Sequence, residues 1–108
     1  MKSRLEQLYE FLEESPEDPF LHYAISSELL KKGDTDLALT GYQQLIQRFP
    51  DYQGTYYHLG KLYERLGRTD DAVTTYEAGM HIARKGRNQH AYGELASALA
   101  SLQGEEDE

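Results

Sequence analysis

Cysteine and tryptophan are both absent from these 108 residues. Without a thiol the chain has no disulfide, no thiolate metal site and no cysteine nucleophile, and the composition suits a reducing compartment. Long apolar runs are also lacking. Residues 1–14 carry acids every few positions, where a secretory signal needs an uninterrupted apolar stretch, so a cytoplasmic location is the expectation. No segment alternates apolar and polar residues as a half-buried strand does, which makes the fold class all-α.

Positive charge is in short supply: 11 bases face 19 acids, for a net charge of −8. The imbalance sits at the ends. Residues 1–18 hold two bases and six acids, residues 101–108 hold four acids and no base, and the middle is balanced. Such a chain has no basic stripe for nucleic acid and nothing to draw it to an anionic membrane, so neither is expected as a partner. The bases Arg84, Lys85 and Arg87 fall at a helix end, where they complement the helix dipole.

Patterns for chemistry are missing as well, and the chain is not expected to be an enzyme. His22, His58, His81 and His90 show no close pairing that would put two ligands on one helix face, so no metal and no cofactor are expected. Glu13-Glu14, Glu17-Asp18 and Asp70-Asp71 lie at helix ends, where capping and dipole effects account for them. Gly60, Gly67 and Gly86 belong to separate packing or turn positions and make no phosphate-cradling loop. No nucleophile elbow surrounds any serine.

What the chain does have is an internal echo. A shift of 34 residues lays Pro16 on Pro50, Leu29 on Tyr63, Gly33 on Gly67, Ala38 on Ala72 and Tyr42 on Tyr76. Packing and turn residues recurring at constant spacing are what a stacked helical array requires, because each unit buries its face only against a neighbour. Helical periodicity with start and stop signals predicts six helices, at about 3–14, from Pro19 to Gly33, from Asp34 or Thr35 to about Pro50, from an Asp51 cap to Gly67, from Thr69 to about Arg84, and over 88–102 after a break at Gly86. Short loops make consecutive helices antiparallel.

The spacing Tyr56-x2-Leu59-Gly60-x2-Tyr63, with Gly67, Ala72 and Tyr76, resembles the tetratricopeptide repeat. His22-x2-Ile25-Ser26-x2-Leu29, with Gly33, Ala38, Tyr42 and Pro50, is a looser copy. Tyr92-x2-Leu95-Ala96-x2-Leu99 restores the motif after a two-residue insertion. The resemblance implies a right-handed α-solenoid of antiparallel helix pairs. It gives one domain over 1–103, with a half repeat at 3–16, repeats at 19–50 and 53–84, a terminal helix at 88–102, and an acidic disordered tail at 104–108. Leu8 and Phe11, with no earlier helix to cover them, would leave an apolar strip open to self-association.

In this family the first helix of each pair lines the concave face, where a partner segment usually lies. The implied partner-binding residues are Tyr23, Ser27 and Lys31 on the second helix, Tyr57, Lys61, Glu64 and Arg65 on the fourth, and His90 on the sixth, where Glu94 flanks the same wall. Tyr56, Leu59, Gly60, Tyr63 and Leu66 would form the packed stripe of the fourth helix. Tyrosines beside bases suit a peptide with an acidic or terminal carboxylate. Chaperone-binding members grip a carboxylate with lysine, asparagine and arginine; the corresponding positions here hold Tyr23, Ser27, His58, His90 and Glu94, so that clamp is absent. The expected function is a non-catalytic adaptor for another protein or peptide, the alternative a homodimer through the terminal helices.

Overall fold

A computed structural model describes residues 1–107, and among them six helices and no strand. They are α1 (Arg4–Glu14), α2 (Pro19–Lys31), α3 (Thr35–Arg48), α4 (Gly54–Arg65), α5 (Thr69–Lys85) and α6 (Gln89–Asp107). The chain divides into two compact units, Met1–Tyr52 and Gln53–Glu108, and the division falls between the two expected repeats. No helix among the described residues is long and apolar enough to cross a membrane.

Side-chain caps open α1 and α2, whereas α3, α4 and α5 start without one. Ser3 Oγ accepts a hydrogen bond from Glu6 N at 3.1 Å, and Asp18 Oδ1 accepts one from Phe20 N at 2.9 Å with Pro19 at the first helical position. Each satisfies an amide that the first turn would otherwise leave unpaired. Asp51 does not cap α4 as expected. It lies in a turn in which Tyr52 N donates to Phe49 O at 3.0 Å, so α4 begins three residues later behind Gln53.

Helices α2 and α4 close with glycine in the left-handed region, Gly33 at φ 90° and Gly67 at φ 73°. The next amide then folds back, Asp34 N to Leu29 O and Arg68 N to Tyr63 O, both at 2.9 Å, in the Schellman arrangement. Helix α5 closes the same way, with Asn88 N donating to Ala83 O at 2.8 Å. The expected breaker Gly86 is at φ −84°, and the left-handed residue is Arg87 at φ 56°. At the far end α6 continues through Gly104 to Asp107, beyond the expected limit of 102 and into the stretch read as a disordered tail. Gly104 has no positive φ to stop the ladder, and an interior glycine costs a helix only about 1 kcal/mol. Glu108 lies outside the described residues.

In the first unit α1 packs on α2 and α2 on α3. Its core gathers Leu8, Leu21, Ala24, Ile25, Leu29 and Ala38, with Leu5, Leu12 and Leu30 packed against it. The apolar strip expected on α1 is therefore half as wide: Leu8 is 1% exposed and only Phe11, at 52%, remains outside. Leu5, Leu8 and Leu12 share the face turned to α2, and Phe11 is rotated off it. In the second unit α5 packs between contacts with α4 and α6, which also touch each other. Tyr56, Leu59, Leu62 and Tyr63 of α4, Ala72, Tyr76 and Ala83 of α5, and Leu95, Ala98 and Leu102 of α6 are buried. Each of the large ones stabilises the fold by roughly 1.5–3 kcal/mol. Leu66, expected in the α4 stripe, is largely exposed because the helix ends before it, and Leu62 takes its place.

Candidate partner-binding site

On α2, Tyr23, Ser27 and Lys31 follow one another at intervals of four residues and so share one face. The half-buried Tyr23 ring has its centroid 5.9 Å from Tyr52, 6.2 Å from Tyr42 and 6.5 Å from Phe20. Burial pushes its hydroxyl pKa up, opposed by the hydrogen bond to Ser27. Ser27 Oγ shares a 2.7 Å hydrogen bond with the hydroxyl of Tyr42, a core residue, so its position is fixed from below. Lys31 is exposed, with Nζ 3.6 Å from Glu28 Oε1 on its own helix.

The second unit carries the other five expected residues. Tyr57 is half-buried on α4, edge-on to His58 at 5.6 Å, with Lys61 Nζ 5.7 Å from its ring centroid. Lys61 Nζ is also 3.6 Å from Glu64 Oε2, and the same carboxylate accepts a hydrogen bond from the Tyr76 hydroxyl. Tyr76 is fully buried, and burial first, then the Glu64 carboxylate, pushes its pKa up. Glu64 is thus anchored to the core, and it draws Lys61 over the Tyr57 ring. Arg65 is exposed and has no carboxylate partner among the described residues. His90 is exposed on α6, with Nε2 3.4 Å from Glu94 Oε1.

Tyr57 and Glu94 meet at a cavity of about 320 Å³, bounded also by Gln53, His58, Ala91 and Leu95. His58 is held below the ordinary histidine pKa by the shielding of its ring from water, against the opposing pull of Glu94. Gln53 is fixed by its Nε2 donating to Gly79 O at 3.1 Å. Tyr57 and the helix of His90 therefore come together, through Glu94 rather than through His90 itself. Gln53 and His58 are not among the expected binding residues, whereas Glu94 is expected beside His90 at the flank of the groove and does border the cavity. Nothing local in the sequence singles out Gln53.

His22 has a packing role and His81 is exposed. His22 is half-buried, its Nε2 2.7 Å from Pro16 O and its ring 5.8 Å from Phe49. Among the described residues no three histidine or carboxylate side chains come close enough to hold a metal ion.

The tetratricopeptide repeat model matches residues 29–102. No match to the chain is found among curated proteins. Among solved structures, a tetratricopeptide repeat domain protein from Salinibacter ruber, determined in solution, is 49% identical, with a TM-score of 0.80 over 83% of this chain and 91% of that one. The TPR2B domain of yeast Sti1, in its pHsp70 complex, has a TM-score of 0.82 over 94% of this chain and 81% of its own at 15% identity. PcrH, in complex with the chaperone binding region of PopD, scores 0.81 over 94% and 77% at 12% identity. The last two likenesses are of fold alone. With its helix pairs closed at Gly33 and Gly67, its buried Tyr42 and Tyr76, and a match over most of its length, the chain belongs to the tetratricopeptide repeat family.

Proposed function

We propose that this chain is a non-catalytic adaptor that holds an extended segment of another protein against the exposed face of α4 and the neighbouring part of α6. The observation that carries the reading is the half-buried Tyr57 ring at the wall of the 320 Å³ cavity, with Lys61 over its face. A fixed aromatic offers a large contact area at small entropic cost, and such residues anchor interfaces. Arg65 supplies an uncompensated cation for an acidic or terminal carboxylate of the partner. Lys31 and Lys61 hold only exposed or partly exposed ion pairs, which are worth little and are readily exchanged. In the first unit Tyr23, Ser27 and Lys31 present a face of the same composition. The Sti1 domain and PcrH, with bound partners, support a binding role for the fold. The reading includes a cytoplasmic setting, which the cysteine-free composition favours.

A peptide library selected against the wild-type chain tests the proposal. The selected peptides should bind the Tyr57→Ala and Arg65→Ala variants about tenfold or more weakly, while the melting temperatures of the variants stay near wild type. Equal binding by all three proteins would remove the α4 face from consideration. The homodimer alternative retains exposed Phe11 but not Leu8; light scattering after gel filtration supports it only if the dimer dissociates on Phe11→Ser substitution.

A further inference from the structure

Three bases crowd the turn between α5 and α6, Arg84, Lys85 and Arg87, in a chain whose net charge is −8. None has a carboxylate partner among the described residues, a state they share with Arg4, Lys32 and Arg65, which do not cluster in one turn. Arg84 is held by an aromatic instead: Nη2 donates to the Tyr92 hydroxyl at 2.7 Å, and the guanidinium carbon lies 5.0 Å from the ring centroid. Arg87 occupies the left-handed position that Gly33 and Gly67 fill in the equivalent turns. Arginine disfavours that region, which glycine and, less readily, asparagine or aspartate adopt, so the fold alone would favour glycine.

Arg84 and Arg87 both line an open cavity of about 410 Å³, with Asn88, Gln89 and Tyr92 around it and Ala83 below. Asn88 Oδ1 accepts from Ala91 N at 3.0 Å, which leaves the side-chain amide hydrogens of Asn88 to donate elsewhere.

The geometry points to a phosphoryl-binding site in this turn. Two guanidinium groups present forked donors that match phosphate oxygens. The Asn88 and Gln89 amides add neutral donors on the same rim. A phosphoryl group carrying close to two negative charges answers both arginines, where a lone carboxylate would leave one uncompensated. Arg87 thus stands where the backbone prefers glycine, and its side chain lines the cavity beside Arg84.

The test is an amide NMR titration of the full chain with inorganic phosphate against sodium chloride at matched ionic strength. A second arm uses a phosphoserine peptide and its unphosphorylated twin. Saturating shifts confined to residues 84–92 are expected, and Arg84→Gln and Arg87→Gly should each weaken binding about tenfold. Arg87→Gly should do so while its melting temperature holds or rises, which separates lost binding from lost folding. Tighter binding of the phosphoserine peptide than of phosphate assigns the group to a phosphorylated chain; equal binding assigns it to a small molecule. Shifts that track ionic strength, full binding by both variants, or equal binding of the unphosphorylated twin would overturn the assignment.

Discussion

Gly60 lies on α4 beneath the Tyr76 ring, where an alanine methyl would stand 2.2 Å from Cε1, 2.6 Å from Cδ1 and 2.7 Å from Cζ. Carbon atoms settle at about 3.5–4.0 Å, so the ring and methyl must part by roughly an ångström or more. Tyr76 has no room to yield, being fully buried with its hydroxyl bonded to Glu64. Overpacking of this kind costs about 1–3 kcal/mol. Against it stands the gain from replacing an interior helical glycine, about 0.5–1 kcal/mol. The clash wins, and Gly60→Ala should lose about 1–2 kcal/mol. Gly93 is the internal control: it lies within α6, and a methyl added there would meet nothing within 4 Å, so Gly93→Ala should keep the helical gain of about 0.5–1 kcal/mol. Urea unfolding followed by circular dichroism measures both, with the two midpoints moving in opposite directions at unchanged slope. A Gly60→Ala midpoint at or above wild type would refute the packing argument.

Other substitutions test separate features. Arg87→Gly should stabilise by about 0.5–1 kcal/mol, as relief of the left-handed strain outweighs the extra freedom of glycine in the unfolded chain; a loss on thermal melting contradicts this. Thr55 is fully buried and its Oγ1 has no hydrogen-bond partner among the described residues, so Thr55→Val should be neutral or stabilising by up to about 1 kcal/mol. His58 has its folded pKa lowered by shielding from water, so the unfolded chain takes up the proton first. Its share of stability is whole above about pH 6.5 and is lost as the pH falls below that value. A His58→Gln variant should show a shallower loss of stability between pH 7.5 and 5 than wild type, and parallel curves would remove His58 from the account.

The repeat was legible because it is written in local signals. Asp18-Pro19 opens α2, Gly33 and Gly67 close α2 and α4, and the Ala and Tyr positions fall at helical spacing. The errors in helix boundaries lie where a local backbone turn outvotes such a signal. Asp51 has the chemistry of a cap, yet the turn from Phe49 to Tyr52 takes it out of register with α4. Gly86 looked like the stop, but the hydrogen bond from Asn88 to Ala83 puts the left-handed residue one place later. At the candidate site, spacing alone put Tyr57, Lys61 and Glu64 on one stretch of helix. It gave no sign that Glu64 is tied to Tyr76, or that Gln53 borders the same cavity as Glu94. Those relations depend on which helices pack together, and a single helical period does not encode them.

A methyl at Gly79 would stand 2.5 Å from Tyr56 Cβ and 2.9 Å from Leu95 Cδ1, so one vacancy on α5 admits a side chain from α4 and another from α6. For anyone transplanting this module, the smallest portable piece is therefore three helices. A pair cut after Lys85 would carry a socket shaped for a leucine it no longer has, and a new C-terminal neighbour must bring a side chain that fills it.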